Sequence, residues 1–282
     1  MSDRLQTPLS VKGSGRVRYG AAMALYTDGK ITAQQLEVYR ICSARDAQDP
    51  AAVFAEHCVP VPELPAPDAG TLIRHLVEAA DSYLSTLTGP GVAEVRAGLS
   101  PWRAGACSPA PGPANSIVAQ HLPAALAETA KTQAPLAAAI AAAAPHLDWI
   151  SYDLYDPVQI GPTFAQGHAF ASLVGEVAPI QARDFDFGIF LIAPGVLYRD
   201  HAHAAPELYA PLTGPHGWRF GPGTRLQIKP AHQPIWNPPH QPHMTKVGSV
   251  PFLCLFAWTR DVSAPAYLLQ AEDWPAFEAL KL

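Results

Sequence analysis

Between residues 21 and 145, apolar positions recur at three- and four-residue intervals, as in Ile31 to Ile41 and Leu72 to Leu87. That is the stripe of amphipathic helices. Thr32 is placed to cap the first of them. A third segment, Ser116 to Ala144, is so rich in alanine that it also reads as helix. Pro123 and Pro135 must start, end or kink its pieces, so short helices are expected. Pro101 to Pro113, dense in proline and glycine, reads as a loop or linker. Near Pro145 the pattern changes to short β-branched and aromatic runs between Gly/Pro turns, which are strands. The candidates are Trp149 to Leu154, Phe185 to Ile192, Glu207 to Leu212, Gly217 to Phe220, Arg225 to Ile228, Gln233 to Asn237, His243 to Val247 and Phe252 to Trp258. Many short strands with frequent turns favour a barrel or double-sheet sandwich. The expected organisation is a helical region over 1–145 and a β-barrel over 146–282, with no solenoid repeat.

Composition narrows the function. Of 282 residues, 49% are hydrophobic and 15% charged, enough apolar material for a core and too much for wholesale disorder. A net charge of −5 offers no basic stripe for phosphate backbones, which points to a small-molecule ligand and away from nucleic acid. No run approaches the roughly 18 apolar residues that span a bilayer, and MSDRLQTPLS lacks the layout of a signal peptide. A cytoplasmic protein without a membrane partner is expected, a homodimer being open. Cys42, Cys58, Cys107 and Cys254 form no C-x-x-C pair, and three or all four read as small buried hydrophobes.

The chemistry concentrates between Gly195 and Gly214, where His201, His203 and Glu207 stand in a strand-like context. On a strand, residues i and i+2 share a face, so both imidazoles point one way. Glu207 returns after a turn that Pro206 helps set. Two imidazoles and a carboxylate would be costly to bury without a metal, and they suit zinc, iron, manganese or nickel. A third imidazole would complete the site, and His240 and His243 are both placed to supply it. The other histidines, at positions 57, 75, 121, 146, 168, 216 and 232, read as solvent-facing or hydrogen-bonded side chains.

This arrangement resembles the first motif of the cupin superfamily: glycine, five residues, H-x-H, three or four residues, glutamate, six residues, glycine. Every fixed position is met from Gly195 to Gly214. The second motif, around Ile235-Trp-Asn-Pro-Pro-His240-Gln-Pro-His243-Met-Thr, keeps the histidine but not the usual glycine, proline and asparagine spacing. More closely, His146 to Trp258 resembles the cupin-type bacterial lyases that cleave dimethylsulfoniopropionate (DMSP) to dimethyl sulfide and acrylate. In that family one tyrosine stands five residues before the second histidine of the first motif and another two residues after the glutamate, positions held here by Tyr198 and Tyr209. Pro242-His243-Met244-Thr245 and the apolar strand ending in Trp258 are similar to the family's later strands, which favours His243 over His240. Arg199-Asp200, where a proline is more usual, departs from the pattern.

The resemblance implies a cupin barrel with an N-terminal helical region, and one divalent transition metal on His201, His203, Glu207 and His243. It also implies a β-elimination in which the metal stabilises charge on the substrate carboxylate while a base removes the adjacent proton. Tyr209 is the candidate base, since a nearby cation favours the phenolate despite an unperturbed pKa of ~10; Tyr198 is the alternative base or a substrate-orienting donor. A sulfonium would favour aromatic lining, for which Trp149, Trp218, Trp236 and Trp258 are available, although core packing accounts for any one of them. Other readings of the same ligand set are a cupin dioxygenase or isomerase, or a non-catalytic metal- or ligand-binding sensor. The cupin-bearing anti-sigma factors carry a clustered Cys and His module that residues 1–145 lack.

Overall fold

The computed structural model describes residues 4, 5, 7, 9, 11–63, 67–153 and 155–282. Part of the leading MSDRLQTPLS and Leu154, the end of the first expected strand, lie outside them. Packing divides the chain into two compact units, Met1–Asp68 and Ala69–Leu282. The change of element type near residue 145 lies inside the second unit. No described helix is long and apolar enough to cross a membrane.

The first unit holds α1 (Ser14–Thr27), α2 (Ala33–Cys42) and α3 (Pro50–Glu56). Thr32 caps α2 as expected: its hydroxyl accepts from the Gln35 N–H, and the Gln35 side chain accepts from the Thr32 N–H. Leu25, Val38, Tyr39, Val53 and Phe54 form a small core of this unit's own.

The second unit begins with α4 (Ala69–Leu84), α5 (Val92–Leu99) and α6 (Ser116–Ala143). In α6 only one proline has the expected effect. Gln133, two residues before Pro135, leaves helical geometry at φ −134° and ψ 53°, because the proline ring crowds the carbonyl one turn earlier. Pro123 sits inside the helix without such a break, so the expectation that both prolines interrupt it is corrected. Residues 101–113 form no helix or strand beyond a single bridge at Cys107.

Two short helices, α7 (Pro157–Ile160) and α8 (Pro162–Ala165), precede the strands β1 (His168–Gly175), β2 (Ile180–Gln181), β3 (Asp186–Ile192), β4 (Leu197–Ala202), β5 (Glu207–Pro211), β6 (His216–Arg219), β7 (Gln227–Lys229), β8 (Ile235–Asn237), β9 (His243–Lys246), β10 (Phe252–Trp258) and β11 (Tyr267–Leu268). A last helix, α9 (Trp274–Ala279), closes the chain. One sheet runs β2-β1-β3-β10-β5-β8 and the other β11-β4-β9-β6-β7. Side chains from both, among them Phe190, Tyr209 and Phe256 from the first and Tyr198 and Trp218 from the second, meet in one core. The expected strand at Trp149 to Leu154 reduces to one bridge, Ile150 to Phe170. Among the described residues helix exceeds strand, so a mainly β description fits the second half alone.

The first sheet is buried on both faces, since Leu191, Leu208, Leu253 and Leu255 pack with α4, α5 and α6 while alternate residues point into the barrel. With both faces covered, β1 (HAFASLVG) does not alternate apolar and exposed polar residues and carries no period-two signal in the sequence. The two motif glycines serve different needs. Gly195 turns the chain into β4 with φ +75°, a conformation that side chains disfavour. A Cβ on Gly214 would stand 2.5 Å from the Ala231 backbone nitrogen, so glycine there permits close approach.

Two histidines outside the motif are buried and neutral. His168 Nδ1–H donates to the Phe164 carbonyl (2.6 Å), and its Nε2 accepts from the Tyr152 N–H (2.8 Å). His216 accepts from the Gly248 N–H through Nδ1. Burial depresses both from 6.5 to about 4. A depressed base contributes stability above its unfolded pKa and loses it as pH falls towards its folded one. Relative to His168→Leu, the wild type should therefore lose about 3 kcal/mol of its stability advantage between pH 7 and pH 4. Urea unfolding of both proteins at the two pH values measures this; a pH-independent gap would show that His168 titrates in the folded state as it does in the unfolded chain.

Candidate metal centre

The site grows out of β4. His201 and His203 share a face as the alternation requires, and His243 on β9 stands directly opposite His201. One ring nitrogen from each of the three lies within 4.8 Å of the others, and all three residues are buried. Glu207 opens β5 and brings Oε2 to 3.3 Å from His203 Nε2 and 3.2 Å from His243 Nε2. His240 does not join them. It adopts φ +59° in the preceding turn, is exposed, and places its Nδ1 3.3 Å from the Tyr267 hydroxyl.

Each clustered histidine is oriented by its own backbone neighbourhood. Nδ1 of His201 lies 2.8 Å from the Arg199 carbonyl, that of His203 2.8 Å from the Ala205 carbonyl, and that of His243 2.9 Å from the Gln241 carbonyl. A carbonyl only accepts, so each Nδ1 carries a hydrogen and each Nε2 is the ring atom turned to the cluster. The Glu207 carboxylate is fixed in turn, Oε1 by the Trp258 indole N–H at 2.8 Å and Oε2 by the Asn237 amide at 3.0 Å. His203 Nε2 pairs with Glu207 Oε2, whereas His243 Nε2, for all its nearness to Glu207, has no aligned hydrogen-bond partner and is fully buried. A bound cation would satisfy such a set, and three imidazoles with one carboxylate suit a borderline divalent metal. The residues fit the group that the sequence implies.

Charge follows geometry. Burial, then the neighbouring His243 and His203, hold His201 well below its ordinary pKa. For His203 burial also pushes down, but the Glu207 carboxylate outweighs it and the net direction is up. Burial pushes Glu207 up, while His203 and His243 more than offset it and hold the carboxylate well below the usual range.

A cavity of about 200 Å³ lies against the cluster. Tyr198, Phe190, Phe170, Phe256 and Trp258 give it an aromatic wall, and Tyr209, Glu207 and Asp186 give it its polar groups. Tyr209 shares the inward face of β5 with Glu207, and its ring centre lies 6.2 Å from that of His243. Burial, and after it the Glu207 charge, raise its pKa well above 10. Tyr198 stacks on His201 at 3.8 Å, and its hydroxyl is 3.1 Å from that of Tyr155. Strand alternation alone would turn Tyr198 and His201 to opposite faces. A bulge in β4 brings them together: Tyr198 faces Thr245 and His201 faces His243, so three steps on β4 run against two on β9.

Of the four candidate tryptophans, Trp258 reaches the cavity. Trp149 and Trp236 pack in the core between helices and sheet, and Trp218 is buried beside Tyr209. The sequence reading does not single out Asn237, Tyr155 or Asp186. Asn237 and Asp186 are set by pairing across strands, and Tyr155 by a contact with a distant strand, so none leaves a local signal.

The family model for DMSP lyases matches residues 109–254, just over half of the chain. No curated protein matches in sequence. Among solved structures, the DMSP lyase DddQ from Ruegeria pomeroyi DSS-3 is similar at 21% identity with a TM-score of 0.54, over 70% of this chain and 95% of that one. A chain from the structures of the DMSP lyases RdDddP and RnDddQII is similar at 21% identity with a TM-score of 0.51, over 72% of this chain and 100% of that one. At this identity these two similarities speak to the fold.

The geometry predicts that purified protein carries about one transition metal per chain. His243→Ala should lose most of its metal affinity, as deleting one of four ligands does, while His240→Ala, outside the cluster, keeps it. Elemental analysis after reconstitution and dialysis measures both. The opposite order of the two variants, or no uptake by the wild type, would sink the assignment.

Proposed function

Since the chain belongs to the DMSP lyase family, we propose that it cleaves DMSP or a close analogue to dimethyl sulfide and acrylate by β-elimination. The observation that carries this reading is the placement of a phenol, Tyr209, on the same strand face as Glu207, in an aromatic cavity beside three clustered histidines. His201, His203, Glu207 and His243 would hold the metal. A divalent cation there would supply Lewis acidity toward the substrate carboxylate and positive charge to the nearby phenol.

The remaining work belongs to the chain. Tyr209 takes the proton from the carbon next to the carboxylate. The electron pair of that C–H bond forms the carbon–carbon double bond of acrylate as the carbon–sulfur bond breaks, and dimethyl sulfide departs with the pair from that bond. Burial and Glu207 set Tyr209 against ionisation, so the phenolate depends on the cation that the cluster is built to hold. Tyr198, its hydroxyl paired with Tyr155, orients the substrate. The aromatic wall excludes water and presents ring faces to a cationic sulfonium.

Tyr209→Phe keeps the ring and should keep the metal, but turnover should drop by about 10²- to 10⁴-fold with substrate binding little altered. Tyr198→Phe should lose less. Headspace dimethyl sulfide from metal-replete protein reads both. Near-full activity in Tyr209→Phe would rule out this mechanism, and no dimethyl sulfide from the wild type would rule out the lyase reading itself.

A further inference from the structure

Sheet register puts four polar side chains in a single row. Asp186 on β3 faces Trp258 on β10, Trp258 faces Glu207 on β5, and Glu207 faces Asn237 on β8. Residues directly opposite on neighbouring strands share a face, so all four turn inward. Three of them are already accounted for, because Trp258 and Asn237 fix Glu207. Asp186 is held only in part: hydrogen bonds from Ser172 and the Phe187 N–H act on its carboxyl, but it borders the cavity and its Oδ1 is out of contact with solvent and without a hydrogen-bond partner. No ion pair among the described residues includes it. A Cβ on Gly175 would stand 3.0 Å from that oxygen, so glycine there keeps room beside it.

A carboxyl in that position is expensive unless something answers its charge. Burial pushes its pKa up to about 6, so it is still anionic in neutral solution, facing an aromatic cavity. Neighbouring strands lie about 4.8 Å apart, so Asp186 and Glu207, with β10 between them, are separated by about 10 Å. That interval is on the scale of a short zwitterion laid along the row. Its carboxylate would lie at the histidine and Glu207 end and its cationic group at the Asp186 end, over the Trp258 ring between them.

We propose that Asp186 is the counter-anion for the cationic end of the substrate, making the cavity selective for sulfonium or quaternary-ammonium carboxylates over neutral-tailed acids of the same shape. The carboxylate supplies charge that the ring faces of Trp258, Phe170 and Phe256 supply only weakly, and an onium group, which has no hydrogen to donate, is suited to an acid that offers it nothing but charge. The proposal rests on the lyase reading for its substrate but not for its test.

Calorimetric titration of metal-replete protein with β-alanine betaine and with dimethylpentanoate, its isostere with carbon in place of nitrogen, compares charge at constant shape. The wild type should prefer the betaine by roughly ten- to hundredfold. Asp186→Asn should lose most of that preference by weakening the betaine alone, and Asp186→Glu should retain more of it. Equal binding of the two ligands by the wild type, or no binding of either, overturns the proposal without reference to any variant. An undiminished preference in Asp186→Asn overturns it too. Dimethyl sulfide release from DMSP is assayed on the same preparation. A betaine preference that depends on Asp186 without such release leaves this inference standing and removes the lyase reading; release without the preference does the reverse.

Discussion

Three imidazoles and one carboxylate gathered in a buried pocket govern this structure. Positive charges on neighbouring imidazoles oppose one another in a low-dielectric setting, where the contacts of Glu207 with His203 and His243 offset the cost. The chain enforces the arrangement regardless. Backbone carbonyls of Arg199, Ala205 and Gln241 dictate the tautomers, and Trp258 and Asn237 occupy the remaining sides of Glu207. Such an orientation suits a bound cation, and the outer contacts fit a candidate metal site.

The same constraint shapes the cavity's acid–base chemistry. A phenol buried beside a carboxylate is a poor base, and Tyr209 is such a phenol. In the proposed mechanism, a cation bound at the cluster would neutralise the Glu207 charge that suppresses the phenolate. The packing of α4 to α6 on the far side of the first sheet contributes indirectly. With its outer face covered, the sheet presents Asp186, Trp258, Glu207 and Tyr209 from a rigid, water-poor surface.

Local pattern carried some of this and register carried the rest. β3, β5 and β10 read directly from apolar runs bounded by turns, and the H-x-H spacing gave the shared face of His201 and His203 from strand alternation alone. β1 was not legible, because both its faces are buried and its sequence does not alternate. β4 was recognised by its motif and not as a run, since Tyr198, Arg199, Asp200 and His201 interrupt the apolar pattern. Spacing left His240 and His243 equivalent; what separates them is the left-handed backbone at His240, which nothing in a histidine announces. The companionship of Tyr198 and His201 requires a bulge, and the row from Asp186 to Asn237 requires three strand pairings. Both are non-local.

The departure at Arg199-Asp200 shows how the bulge is held. Being outside the barrel, these residues are free to bind the end of the chain. Asp200 is fully buried against Arg219 and accepts from the Trp274 indole at 2.7 Å, and Arg219 also reaches Asp273 at 2.5 Å. Arg199 lies over the Trp274 ring and pairs with Glu278. A buried ion pair of this kind adds little net stability, yet removing one partner strands the other at a cost of about 3–5 kcal/mol, so the network tolerates no slippage. Its effect is on register: the C-terminal residues 273–278 clamp β4 at the point where one extra residue turns Tyr198 onto the face of His201. The candidate site's inner geometry is therefore supported from outside, by the buried Asp200–Arg219 pair and its C-terminal partners.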